Sequence, residues 1–262
     1  MPLAYLPHLR LNYRFDGAAN GPVLVLSHAL GFDLTIWAPI IPMLPPTLRI
    51  LRYDHRGHGA SDTPTPPYTM GALITDAERL LDHLNIRDCV FLGLSMGGLV
   101  AQGLAIKRLD LVRGLVLSGT AAKIGTEALW QDRIAAVRAG GLAAINASAV
   151  ERTFSRNFRA SPDIAHWQNL MLNGNPDGYI GCAAAIAGTD FYTPTASLRL
   201  PTLAIAGADD AATPPDLVRE TADLIPGSRF ALIRGGGHLP FIERPQAYAD
   251  ALTTFLKEIG HV

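Results

Sequence analysis

The sequence predicts an α/β fold: a mostly parallel sheet flanked by helices, with a helical segment inserted before the last strands. Three observations predict it. Short runs of Leu, Val and Ile recur along the chain, helical patterns separate them, and residues 121–196 carry helical patterns with no clear strand among them. Runs that are apolar at nearly every position suit strands covered on both faces. Alternation of such strands with helices gives a parallel sheet between two helical layers.

In chain order, residues 22–27 and 48–53 read as the first two strands. Residues 69–84 follow with apolar side chains at helical spacing, then strand 88–94, helix 98–107 and strand 112–117. The inserted segment offers helices at 130–138, 142–154, 164–172 and 176–187. After it come strand 201–206, helix 214–224, strand 228–233 and helix 244–259, with proline opening two of the helices. The expected organisation is a core of residues 1–120 and 197–262, with residues 121–196 as a helical lid inserted in it and acting with it as one unit.

A chain of 262 residues can bury a sizeable core in one piece. Hydrophobic residues make up 48% and charged ones 17%, below the roughly 25% of an average globular protein, which excludes a disordered chain. Lys and Arg total 22 against 23 Asp and Glu, a net charge of -1, and no basic block is present to neutralise a row of phosphates. Nucleic acid is therefore excluded as an expected partner. Lys107, Lys123 and Lys257 are the only lysines, so the positive charge is nearly all arginine, scattered singly as on an ordinary solvated surface. Cys89 and Cys182 lie far apart and rule out a disulfide framework. The N-terminus lacks a cationic start and signal-length apolar run, and no stretch approaches 18 apolar residues. The expectation is a soluble, cytoplasmic protein with no membrane partner, whose low charge permits a homo-oligomer.

Gly93-Leu94-Ser95-Met96-Gly97-Gly98 matches G-x-S-x-G, and its context gives the pattern weight. It ends one expected strand and opens a helix, as a serine held on a sharp strand-to-helix turn requires. Such a turn gives the serine a positive φ and crowds its neighbours at minus two and plus two, positions that Gly93 and Gly97 occupy. A serine hydroxyl is a weak nucleophile and needs a base oriented by an acid. His238 follows Gly235-Gly236-Gly237 after the last strand and suits the base. Asp209 and Asp210 follow strand 201–206; adjacent residues point to opposite sides, and Asp210 is the expected acid.

Acyl transfer puts negative charge on the former carbonyl oxygen, and each preorganised N–H donor there is worth roughly 3 kcal/mol of barrier. The expected donors are the N–H of Met96, just after the nucleophile, and that of Leu30 in the loop after the first strand. His28 in the same loop is expected to be structural. Residues 54–62, Asp-His-Arg-Gly-His-Gly-Ala-Ser-Asp, crowd two histidines with two carboxylates, but lack the helical His pair of zinc hydrolases. They read as a hydrogen-bonded loop bracing the site. The glycines at 235–237 do not have dinucleotide-binding spacing. No cofactor and no metal are expected, because the triad and two N–H groups supply nucleophile, base and oxyanion donors.

Through residues 93–98, 54–62, 207–214 and His238, the whole chain resembles the α/β-hydrolase fold family. A narrower resemblance, over nearly the full length, is to the 3-oxoadipate enol-lactonases of aromatic-compound degradation. It rests on Leu51-Arg52-Tyr53-Asp54, Leu94-Ser95-Met96-Gly97-Gly98, residues 119–125, Trp130 with residues 133–141, and residues 175–182. Ala29 departs from the Gly or small polar residue of many relatives, and Leu239-Pro240-Phe241 from a more polar stretch. The resemblance implies a small anionic lactone as substrate: an enol-lactone ring with a carboxymethyl arm, opened by water through an acyl-enzyme on Ser95. An arm of that charge calls for an arginine fork. Arg133, which shares a helix face with Trp130, is the candidate, with a salt bridge between lid and core as the competing role. Trp130 lines the substrate site or packs the lid, and Trp37 has the same two readings. A serine carboxylesterase or carbon–carbon bond hydrolase of the same fold is the nearest alternative, and a non-catalytic ligand-binding member a more distant one.

Overall fold

The computed structural model describes residues 2–262. Eight strands form one sheet in the order β1-β2-β4-β3-β5-β6-β7-β8. They are β1 (Leu3–Leu6), β2 (Leu9–Gly17), β3 (Val23–Ser27), β4 (Arg49–Tyr53), β5 (Cys89–Leu94), β6 (Val112–Ser118), β7 (Thr202–Gly207) and β8 (Arg229–Ile233). The six strands from β3 onward are those expected from their apolar runs, and all pair in parallel. β1 and β2 add an antiparallel edge that the expectation of six strands omitted. β2 alternates buried Leu9 and Leu11 with exposed Arg10, the period of a strand with one wet face rather than a buried run.

Helices cover both faces. α1 (Met70–His83) begins where Thr69 Oγ1 accepts the Ala72 N–H, and α2 (Met96–Lys107) is buried from Met96 to Ala105. Between β6 and β7 the chain makes only helices: α3 (Glu127–Gly140), α4 (Ala143–Thr153), α5 (Arg156–Arg159), α6 (Ile164–Leu172), α7 (Pro176–Ala187) and α8 (Tyr192–Thr195). Thr126 caps α3, while Asn175 caps α7 ahead of Pro176, which fits the donor-free first turn. After β7 come α9 (Pro215–Asp223), α10 (Pro240–Glu243) and α11 (Pro245–Glu258).

One core layer lies between the sheet and α1, α2, α3 and α7; the other lies beneath α11. Trp37 belongs to the second, fully buried and stacked on Phe241 with ring centroids 4.4 Å apart. Its role is core packing. No helix among the described residues is long and apolar enough to cross a membrane.

The strand order sets the place of the site. From β3 the chain moves outward to β4, then crosses back to β5 on the other side, so the loops after β3 and β5 part at their carboxyl ends. Crevices at such reversals are where open α/β sheets bind ligands. The register aligns Ser27 with Gly93, Leu94 with Ser118, and Gly207 with Ile233. Residues after β3, β5, β7 and β8 therefore emerge along one edge.

Candidate active site

Ser95 sits between β5 and α2 at φ +54° and ψ -115°, a sparsely populated positive-φ conformation that costs a non-glycine residue about 1–3 kcal/mol. The surroundings enforce it. A Cβ on Gly93 would overlap the Gly97 carbonyl, and one on Gly97 would overlap the Ser27 carbonyl, so helix and strands meet closer than side chains allow. The Ser95 N–H donates to Ser118 O at 2.9 Å, and Thr120 Oγ1 donates to Ser95 O at 2.7 Å. Met96 opens α2 with its side chain in the core, leaving its N–H at the positive end of the helix.

His238 and Asp210 meet across the loops after β8 and β7. His238 Nδ1 donates to Asp210 Oδ2 at 2.8 Å, and the carboxylate side chain is fully buried. Asp210 Oδ1 accepts the N–H groups of Ala212 and Thr213 at 2.8 and 2.9 Å, while Thr213 Oγ1 donates to Oδ2 at 2.9 Å. Asp209 is exposed whereas Asp210 is buried, a difference of the kind the alternation argument required of the pair. With Nδ1–H committed to the carboxylate, Nε2 is left as the basic nitrogen. The His238 loop is fastened from below: its N–H donates to Thr153 O at 2.7 Å, and buried Glu243 Oε1 accepts the N–H groups of Gly237 and Ser155 at 3.0 and 3.2 Å. Burial pushes the Glu243 carboxyl above its ordinary range despite these bonds.

The loop after β3 is held by histidines from two directions. His28 Nε2 accepts the His55 N–H at 2.9 Å, so its Nδ1 carries the proton and donates to Ala29 O at 2.8 Å. His58 Nε2 accepts the Gly31 N–H at 3.0 Å, and its Nδ1 donates to Arg56 O at 3.2 Å. The two residues flanking Leu30 are thus clamped by buried rings. Asp54 completes the brace, accepting from Leu34 N–H at 2.7 Å, Ala60 N–H at 2.9 Å and Asn12 Nδ2 at 2.6 Å. Residues 54–62 spend their polar groups on backbone and on side chains of neighbouring elements, Arg56 on Asp76 and Asp62 on Arg10 among them, as a bracing loop would.

Ser95, His238, Leu30, Trp130 and Arg133 line one cavity of about 170 Å³, below the ~300 Å³ at which pockets for drug-sized ligands begin. A larger groove of about 610 Å³ lies beside Asp33 and Asn175 and contains none of the three candidate triad residues. Trp130 is nearly buried, with Nε1 donating to Ile124 O at 2.6 Å, so it packs its helix and borders the cavity at once. The Arg133 guanidinium carbon stands 4.9 Å from the Trp130 ring centroid.

The sequence profile of the alpha/beta hydrolase family matches residues 24–251. The chain belongs to that family. This hydrolase is 36% identical over 252 residues to 3-oxoadipate enol-lactonase 2 of Acinetobacter baylyi, covering 95% of this chain and 94% of that one. Its fold matches the crystal structure of the enol-lactonase from Burkholderia xenovorans with a TM-score of 0.94 at 35% identity, over 98% of this chain and 100% of the other. A thermophilic esterase from Thermogutta terrifontis matches with a TM-score of 0.91 at 29% identity, over 99% of this chain and 97% of that one.

Three residues at this hydrolase's site escaped the sequence reading. Thr213 stands three positions after Asp210, the spacing of a side chain that folds back on an aspartate, and was legible on that ground. Glu243 and the cavity-lining Arg152 have no local signal; folding alone brings them there. Gly119 follows β6 at φ +46°, and a Cβ on it would stand 3.2 Å from both Asp210 Oδ2 and His238 Nδ1. Gly119→Ala should cost about 1–3 kcal/mol of stability through backbone strain and lower kcat about tenfold or more by displacing the pair. Thermal melts beside steady-state kinetics check this. An unchanged kcat would show that the pair tolerates displacement.

Proposed function

We propose that this hydrolase opens 3-oxoadipate enol-lactone to 3-oxoadipate through a Ser95-His238-Asp210 triad, with residues 121–196 as the lid over the reacting cavity. The observation that carries the reading is that Ser95, His238 and Arg133 line the same small cavity while His238 is bonded to Asp210. Ser95 Oγ attacks the lactone carbonyl as His238 Nε2 takes its proton, and the Met96 and Leu30 N–H groups hold the oxyanion. Collapse expels the ring oxygen, which receives that proton and leaves as an enol that tautomerises to the ketone. Water, deprotonated by His238, attacks the acyl-enzyme; the proton returns to Ser95 Oγ, and the second carboxylate of the product is released. Arg133 pairs with the carboxymethyl arm and Trp130 walls the ring.

The enol-lactonase relatives support the substrate, and the esterase relative supports the alternative of a neutral ester. Loss of the lactone's ultraviolet absorbance, run beside a p-nitrophenyl ester, separates them. The lactone should turn over far faster. Arg133→Ala should raise KM for the lactone on the order of tenfold or more, well beyond any rise for the ester. Ester turnover without lactone turnover would keep the triad and reject this substrate.

A further inference from the structure

The reacting cavity holds a second cation that the scheme above leaves unassigned. Arg133 reaches the cavity from α3 and Arg152 from α4, and no Asp or Glu lines it. Among the described residues neither arginine has a carboxylate within 4.0 Å. Arginine is rarely withdrawn from water unless it is paired. Here two are half-withdrawn, and their joint field selects for negative charge.

Arg152 is the arginine tied to the reacting groups. Its carbonyl accepts the Ala211 N–H, next to Asp210, at 3.3 Å, and the carbonyl of the following Thr153 accepts the His238 N–H at 2.7 Å. The last turn of α4 is thereby joined to the loops that carry both acid and base. The side chain is barely occupied: Nη2 donates to Ser148 Oγ at a long 3.4 Å, and Nε is enclosed with no acceptor. An enclosed donor without an acceptor is costly, and a turn of the guanidinium toward a carboxylate in the cavity would satisfy it in the bidentate geometry arginine favours.

Ring opening changes the charge of the bound molecule. The lactone carries one carboxylate, and hydrolysis converts its ester carbonyl, at Ser95 and His238, into a second. We infer that Arg152 is a specificity-determining residue that binds this second carboxylate, so that the cavity prefers dicarboxylates of about six carbons over monocarboxylates. The inference rests on the lactone reading for the identity of the dianion, and on the unpaired Arg152 beside the triad loops for the site.

Binding measured without turnover tests it. Isothermal titration of the whole protein with adipate and with hexanoate should give the tighter Kd for adipate. Arg152→Gln should weaken adipate on the order of tenfold and hexanoate much less, while Arg152→Lys should recover part of the loss. Both substitutions keep the main-chain bonds to Ala211 and His238, and unchanged melts confirm an intact fold. Equal loss for the two acids, or none for adipate, overturns the assignment. Lactone turnover by the parent protein separates the two proposals. An inert lactone with Arg152-dependent adipate binding keeps the dianion site and rejects the substrate; a lactone that turns over with Arg152-independent adipate binding does the reverse.

Discussion

Ser95→Ala should lower kcat by about 10⁴-fold or more and leave the protein folded. Alanine removes Oγ alone, and the Ser95 N–H and carbonyl keep their bonds to Ser118 and Thr120. Residual activity comes from whatever the N–H donors and the cavity supply without a covalent step. Ser95→Gly should be equally inactive yet more stable, by about 1 kcal/mol, because glycine holds φ +54° without the Cβ strain that serine bears. Asp210→Asn should approach the same loss with no change in volume, since an amide no longer fixes the His238 tautomer. Active-site titration followed by single-turnover kinetics reads the chemical step directly. Near-normal kcat in Ser95→Ala would remove the nucleophile from the scheme; loss of the folded melt would point to a structural role instead.

The legible and illegible parts of this molecule divide on physical lines. β5 and β7 are buried at every position, and such strands print as unbroken apolar runs. β2, with one wet face, prints as Leu-Arg-Leu alternation, a weaker signal than an unbroken apolar run. Ser95 was legible because the elbow's constraints are local: two glycines and a helix start within four residues. The choice between Asp209 and Asp210 drew only on alternation, whereas the structure decides it by seating one carboxylate against a ring 28 positions away. Arg152 had no signature at all. A lone arginine on a lid helix looks like solvated charge until folding encloses its Nε and brings the residue to the cavity that Ser95 and His238 also line. The histidines of residues 54–62 invite a metal reading by composition alone, but the His58 ring accepts the Gly31 N–H and the His55 ring bonds Ser27 Oγ.

Those clamps make the protein acid-sensitive. Burial pushes His28 and His58 down to about 4 and holds His55 well below its ordinary value, with the neighbouring His28 ring adding to the shift of His55 and His58. Folded, all three stay neutral at pH 5 to 6; unfolded, each takes a proton near pH 6.5. The unfolded chain therefore binds more protons, and stability falls as pH drops from about 6.5 toward 4, by about 3 kcal/mol each for His28 and His58. Asp54 and Asp76 are raised by burial, and so is Glu243; these acids favour the folded state as pH falls, offsetting part of the loss. Their contribution falls between their raised values and the ordinary carboxylate range. Asp33 and Arg56 also face the rings, the carboxylate favouring protonation and the guanidinium opposing it. Urea unfolding at pH 7.5, 6.5 and 5.5 should show ΔG falling most steeply across the last interval, at roughly 1.4 kcal/mol per pH unit for each proton taken up. The folded His58 ring holds off a proton until about pH 4, so loss of its Nε2 as acceptor of the Gly31 N–H, beside Leu30, accompanies loss of the fold. A ΔG flat between pH 7.5 and 5.5 would mean that the buried rings exchange protons with water in the native state.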